Sequence, residues 1–226
     1  MKAASLIGFF TVAMSVAAGW SGIPPGPAAA AATAAVAYPG MTIIQGESVC
    51  TLGYVDPARR IGYSAGHCNT DAVVRDKAGD LVGEVISARH NRAGQAYTAP
   101  TDRVIDHQVI RLSPAVMATD RAAPSLVRRL VSDPSVLPQP GMQVCHVGVT
   151  TGLSCGEIAH VYNGWFTMAV GDGDLTSADG DSGGPVYTRL PDRSGLILLG
   201  LFRGRHGNHL AAVTWADVEA SSRHMT

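Results

Sequence analysis

Ser182 stands in the string Gly180-Asp181-Ser182-Gly183-Gly184-Pro185. Glycines on both sides of a serine let the backbone turn sharply, expose Oγ and aim neighbouring N–H groups at one point. Such a point is an oxyanion hole, here built from the N–H groups of Gly180 and Ser182; losing one donor of this kind raises a barrier by about 3 kcal/mol. Alone, the string reads as a polar glycine turn, but the strand start that follows it (Pro185-Val186-Tyr187) makes it more specific. A second string, Ser64-Ala65-Gly66-His67-Cys68, sets a histidine after small residues and beside a cysteine, where an imidazole can be held rigidly as a general base. A third is Asp106 at the mouth of the apolar run DHQVIRL, where a carboxylate can orient an imidazole and stabilise its protonated form. Asp102 is the rival acid. Singly, the histidine reads as a solvated loop residue and the aspartate as a turn or cap. In the order His…Asp…Ser they are a candidate nucleophile, base and orienting acid.

Elements able to hold these groups are legible around them. Charged residues are 15% of the chain, below the roughly 25% usual in soluble domains, while glycine (26) and proline (13) are plentiful. That balance suits an all-β protein with many tight turns. VCTLGYV, RIGYSAGH, AVVRD, LVGEVISAR and HQVIRL form one strand-rich half, and MQVCHVGV, CGEIAHVY, WFTMAV, GPVYTRL and GLILLGLF a second. Residues 113–140, with five prolines, connect them, and WADVEASS (Trp215 to Ser222) predicts one short closing helix. The domain reading is therefore 1–37 signal and Ala/Pro-rich linker, 38–125 first half, and 126–226 second half with the helix.

The N-terminus reads as an export signal: Lys2, then an uncharged apolar run over 3–18, with candidate cuts after Ala18 and after Ala37. A retained anchor is the rival reading, but the run is short for a span of about 20 residues. Cys50, Cys68, Cys145 and Cys155 all follow the signal, an even count that suggests two disulfides in an exported chain. Three pairings are open, and local pairing closes the shortest loops. No C-x-x-C spacing points to zinc, and His206 and His209 lack the acid and third ligand of a zinc hydrolase, so no metal is expected. The net charge of −1 offers nothing to nucleic acid or to an anionic membrane.

These strings resemble the chymotrypsin-like serine proteases, and within them the bacterial group of α-lytic protease and the streptogrisins. The resemblance covers about residues 41–220 and rests on CTLGYVDPARRIGYSAGHC, DHQVIRL, GMQVCHVGVTTGLSCGEI and GDSGGP. It implies two antiparallel six-stranded barrels, local disulfides 50–68 and 145–155, and a cleft triad with Ser182 as nucleophile, His67 as base and acid, and Asp106 as orienting carboxylate. It implies a secreted endopeptidase that needs no cofactor, acting on polypeptides as a monomer without stable membrane association after signal cleavage. The alternative is a silent module that keeps the fold and binds a partner through its cleft. The substrate pocket falls on Thr176, Ser177 and Ala178 on one side and Phe202, Arg203, Gly204 and Arg205 on the other; with Thr176 in place of an acid, cleavage after Lys or Arg is not expected. Two positions depart from the pattern. Arg203 falls where relatives carry a serine, so it either approaches Asp106 in competition with His67 or snorkels to solvent. His146 falls where the bacterial branch has an arginine for Asp181; paired with that carboxylate its pKa would rise, and unpaired it would lie on the surface.

Overall fold

Short apolar or alternating stretches bounded by Gly, Asn and Asp form strands throughout, as their patterning predicts. The structure, a computed structural model, describes residues 35–91, 101–123, 127–169, 176–189, 191 and 194–223. The apolar run 3–18 and the cut after Ala18 lie outside the described residues.

The first half holds β1 (Val36–Ala37), β2 (Thr42–Gln45), β3 (Ser48–Thr51), β4 (Tyr54–Asp56), β5 (Ile61–Ser64), β6 (Val73–Arg75), β7 (Leu81–His90) and β8 (Asp106–Leu112). The connector carries β9 (Met117–Ala118) and β10 (Leu130–Val131). In the second half run β11 (Gln143–Gly148), β12 (Gly152–Val161), β13 (Trp165–Ala169), β14 (Pro185–Thr188), β15 (Leu196–His206) and β16 (His209–Thr214), followed by the helix α1 (Trp215–Ser222). The all-β class and the closing helix stand as expected.

The expectation of two closed six-stranded barrels does not hold. In the second half β15, β14, β11, β12, β13 and β16 pair in that order and β16 returns to β15, which closes a six-stranded barrel; β10 joins β15 from outside. In the first half the order is β3-β2-β6-β7-β8-β5-β4, and the two edge strands do not pair. Those edges are consecutive pieces of chain, parted at Leu52 and Gly53. There Leu52 N–H still follows β2, donating to Met41 O (2.9 Å), and Gly53 N–H already joins β5 at Tyr63 O (2.7 Å), while Thr51 N–H turns to the second half and donates to Ser182 O (2.8 Å). A Cβ at position 53 would lie 2.2 Å from the Gly183 carbonyl oxygen, so only glycine admits this approach of the second half. The sheet therefore stays open at the place where it receives the Ser182 turn.

Three buried clusters fix the arrangement. Ile43, Leu52, Val74, Val82, Ile110 and Leu112 fill the first sheet's concave side, and Val144, Ile158, Phe166, Met168, Leu199 and Phe202 fill the closed barrel. The third joins the halves: Trp215 at the start of α1 meets Tyr54 (5.1 Å between ring centroids) and Tyr63 (5.0 Å) edge-on. Aromatic contacts of this geometry contribute about 1 kcal/mol each beyond their buried area. The helix begins there because the Thr214 hydroxyl accepts the Asp217 N–H (3.4 Å) as an N-cap.

Candidate active site

His67 lies on a single 3₁₀ turn, Gly66–Cys68, pressed against β7 and β8. The contact is close enough that a Cβ on Gly66 would fall 2.2 Å from Arg89 O and 2.8 Å from His107 O. Glycine thus lets the turn dock beside the first residue of β8, which is Asp106. The Asp106 carboxylate, 2% exposed as a residue, accepts the His67 N–H at Oδ1 (2.9 Å) and meets His67 Nδ1 at Oδ2 (2.7 Å). An ionised carboxylate only accepts, so Nδ1 carries the shared proton and Nε2 of the neutral ring is left with its lone pair. The imidazole is 40% exposed, open to whatever approaches. Asp102 is placed elsewhere, its carbonyl accepting the Trp165 indole N–H (3.1 Å). Both disulfides form with the local pairing, Cys50–Cys68 and Cys145–Cys155; the first ties the His67 turn to β3, and the second joins facing residues of β11 and β12.

The Ser182 turn is held from three directions. Gly180 (φ +100°) and Gly183 (φ +85°) take left-handed conformations that favour glycine. The Thr51 hydroxyl donates to Gly180 O (2.8 Å), Thr51 N–H to Ser182 O (2.8 Å) and Gly183 N–H to Phe202 O (2.7 Å). A Cβ on Gly183 would meet Ser64 Oγ at 2.0 Å and Ala65 N at 2.7 Å, and Cys68 Sγ lies 4.0 Å from Ser182 O. The turn is therefore packed directly on the segment that carries His67. Among the described residues, the N–H groups of Gly180 and Ser182 donate to no acceptor, and no hydrogen bond joins Ser182 Oγ to the imidazole. Thr51 and Ser64 are positioning groups that motif reading missed; each sits in a string already singled out, but their cross-chain contacts have no sequence signature.

His146 and Asp181 do not pair. The Asp181 carboxylate accepts Thr150 N–H (2.9 Å) and Thr151 N–H (3.1 Å) at Oδ1, and Thr151 Oγ–H (2.8 Å) and Ala178 N–H (2.8 Å) at Oδ2. Four donors from the β11–β12 hairpin and the approach to the turn satisfy it, so it needs no cation. His146 is not on the surface either: it is fully buried, its ring on Phe202 with centroids 4.4 Å apart. Burial lowers its pKa to about 4, while the Asp181 charge pulls the other way and loses. The expected upward shift is thus reversed because desolvation outweighs a carboxylate already engaged by other donors.

Of the expected substrate wall, Thr176 and Ala178 are exposed and Ser177 half-buried, with the Thr176 carbonyl accepting the Ser154 hydroxyl (3.4 Å). Phe202 is 1% exposed and belongs to the barrel interior. Gly204 (φ +132°) bends β15 between half-buried Arg203 and exposed Arg205. Arg203 does approach Asp106: its Nε lies 3.7 Å from Oδ2, the oxygen that also holds His67 Nδ1. His206 packs edge-on against Trp165 (4.9 Å) and His209 against His160 (5.7 Å). Among the described residues no group of three or more His, Cys, Asp or Glu could hold a metal, and no helix is long and apolar enough to cross a membrane.

This architecture is the chymotrypsin-like serine-protease fold. The chain is similar in structure to a glutamic acid specific serine protease (TM-score 0.60, 19% identity, 82% of this chain and 97% of that one). It is likewise similar to protease A of Thermobifida fusca (TM-score 0.56, 20% identity, 82% and 96%) and to an α-lytic protease homologue, N4 (TM-score 0.58, 19% identity, 83% and 96%). No protein-family model matches the chain. In sequence it is 42% identical over 208 residues to the uncharacterized protein Rv1815 of Mycobacterium tuberculosis strain ATCC 25618 / H37Rv, over 91% of this chain and 87% of that protein. The uncharacterized protein MT1863 of strain CDC 1551 / Oshkosh matches to the same extent. The chain belongs to the family of these two mycobacterial proteins, a family with a fold related to serine endopeptidases.

Proposed function

We propose that the chain is an exported serine endopeptidase of the α-lytic protease and streptogrisin branch, working through Ser182, His67 and Asp106. The observation that carries this reading is the buried Asp106 carboxylate bound to both His67 N and Nδ1, beside a turn whose Gly180 and Ser182 N–H groups have no acceptor among the described residues. In the reaction His67 Nε2 takes the Ser182 Oγ proton as Oγ attacks the scissile carbonyl. Asp106 stabilises the imidazolium so formed, and the two N–H groups receive the oxyanion. The imidazolium then gives its proton to the leaving amine, and water deacylates the enzyme by the same steps in reverse order. The chemistry requires no cofactor.

Polypeptide substrate would lie along β15. β14 begins at Pro185, opposite Leu201, so β15 runs on past it through Arg203 to Arg205. An extended peptide along that stretch would be held by main-chain bonds, with side chains selected by the expected wall of Thr176, Ser177 and Ala178. A silent module that binds a peptide in the same cleft is the second reading, favoured by one feature, the Arg203 cation at Asp106. Hydrolysis of a quenched peptide library separates the two. The purified protein is expected to cleave it and Ser182→Ala to lose that cleavage by several orders of magnitude. Equal cleavage by the two proteins, or none by the parent, overturns the endopeptidase reading.

A further inference from the structure

We propose that Arg203 is a positioning residue that restrains the His67–Asp106 pair, holding turnover below the rate the triad would otherwise reach. The inference rests on the triad reading above. Asp106 Oδ2 accepts from His67 Nδ1 at 2.7 Å, and Arg203 Nε stands 3.7 Å from the same oxygen. The carboxylate is 3% exposed and the arginine side chain 21%, so water screens these two weakly, while the 40% exposed imidazole is screened in part. Oδ1 is already taken by the His67 backbone N–H. One buried negative charge therefore serves two groups, and only one of them is permanently positive, since a guanidinium stays protonated at every accessible pH.

The consequence differs between ground and transition states. With His67 neutral, Arg203 helps compensate the desolvation of the Asp106 carboxylate. When His67 takes the serine proton, a second cation forms within about 6 Å of the guanidinium, because both face one oxygen, and the two repel. A penalty confined to the transition state lowers kcat and leaves KM alone. With the imidazole partly exposed, an effective dielectric constant of about 40 makes a repulsion over this distance correspond to roughly tenfold in rate.

The test compares the parent with Arg203→Met, which keeps the stem without charge, Arg203→Ser, which is small and polar, and Arg203→Lys, which keeps the charge. Steady-state kinetics on one peptide substrate is read beside the low-field proton NMR signal of the His67–Asp106 hydrogen bond, which needs no turnover. Arg203→Met and Arg203→Ser are expected to raise kcat roughly tenfold with KM unchanged and to shift the low-field signal, with Arg203→Lys near the parent in both. The serine variant carries the test if methionine is not accommodated. Unchanged or reduced kcat in both neutral variants, with the low-field signal unmoved, overturns the proposal. Failure of the triad reading looks different: Ser182→Ala would retain the parent's activity, while the NMR signal would still report whether Arg203 acts on the pair.

Discussion

Acidification loads this fold through a histidine that it buries as a neutral ring. Burial lowers the His146 pKa from 6.5 to about 4, against the opposing charge of Asp181. The unfolded chain therefore takes up a proton at His146 near pH 6.5, and the folded chain only near pH 4. Between those values the unfolded state binds more protons. The stability tied to neutral His146 is complete above pH 6.5 and is lost as pH falls towards 4. At pH 5 the loss is about 2 kcal/mol, rising to ~3 kcal/mol at and below pH 4. His107, also lowered to about 4 by burial and then by Arg89, adds a second loss of like size in the same window. Against a total stability of about 5–15 kcal/mol, this pair alone makes the protein acid-sensitive. His146→Leu removes the titration and also two buried nitrogens that have no hydrogen-bond partner among the described residues. Urea unfolding followed by tryptophan fluorescence at pH 7.5, 6 and 5 measures the effect. The variant should lie within ~1 kcal/mol of the parent at pH 7.5 and exceed it by about 2 kcal/mol at pH 5. Parallel loss of stability in both proteins would refute the buried neutral ring. A parent that gained stability on acidification would instead restore a His146–Asp181 ion pair.

Other outcomes follow from the same contacts. Asp181→Ala strands the donors of Thr150, Thr151 and Ala178, and should cost about 3 kcal/mol or more in denaturant unfolding; a cost under ~1 kcal/mol contradicts the role given to this carboxylate. A chain beginning at Tyr38 loses the bonds from Met117 N–H to Ala35 O and from Thr119 N–H to Ala37 O, together with a fully buried Ala37. It should be less stable by roughly 2 kcal/mol than one beginning at Ala34, and equal melting curves would show that β1 is dispensable. Replacing Cys50 and Cys68 by serine should remove about 3 kcal/mol by the loop-entropy estimate, and hydrogen exchange should rise first at the His67 turn; unchanged exchange there would contradict its tethering by that bridge. If Thr176 lines the substrate pocket in place of an acid, as the resemblance implies, a peptide-library profile should not favour Lys or Arg before the scissile bond, and a profile dominated by either would sink that specificity reading.

Much of the site was legible because its chemistry is local. GDSGGP dictates its own turn through two glycines at positive φ, and the apolar strand DHQVIRL, matched to the family pattern, favours Asp106 over Asp102. The helix Trp215–Ser222 and both disulfides are readable for similar reasons, from the short run WADVEASS at the end of the chain's last strand and from near spacing. What escaped the sequence depends on contacts between distant segments. Nothing in Thr51-Leu52-Gly53 announces that the chain there passes from β2 to β5 and gives one N–H to Ser182, so the sequence predicts a closed first sheet. His146 was weighed only by its neighbour Asp181, because burial against Phe202 is invisible until the barrel is assembled. Thr150 and Thr151 were in view as part of a hairpin, yet their hydroxyl and backbone donors became meaningful only once the hairpin lay over Asp181. Arg203 was legible as a departure, and its 3.7 Å approach to Asp106 makes it a contact.

The central claim, that Ser182 is a nucleophile activated by His67, is tested most directly by reaction with a fluorophosphonate and mass mapping of the adduct. The account predicts one adduct per chain, on the peptide containing Ser182, abolished in Ser182→Ala and formed far more slowly in His67→Ala. No adduct on the folded parent, or labelling that persists unchanged in Ser182→Ala, would contradict it.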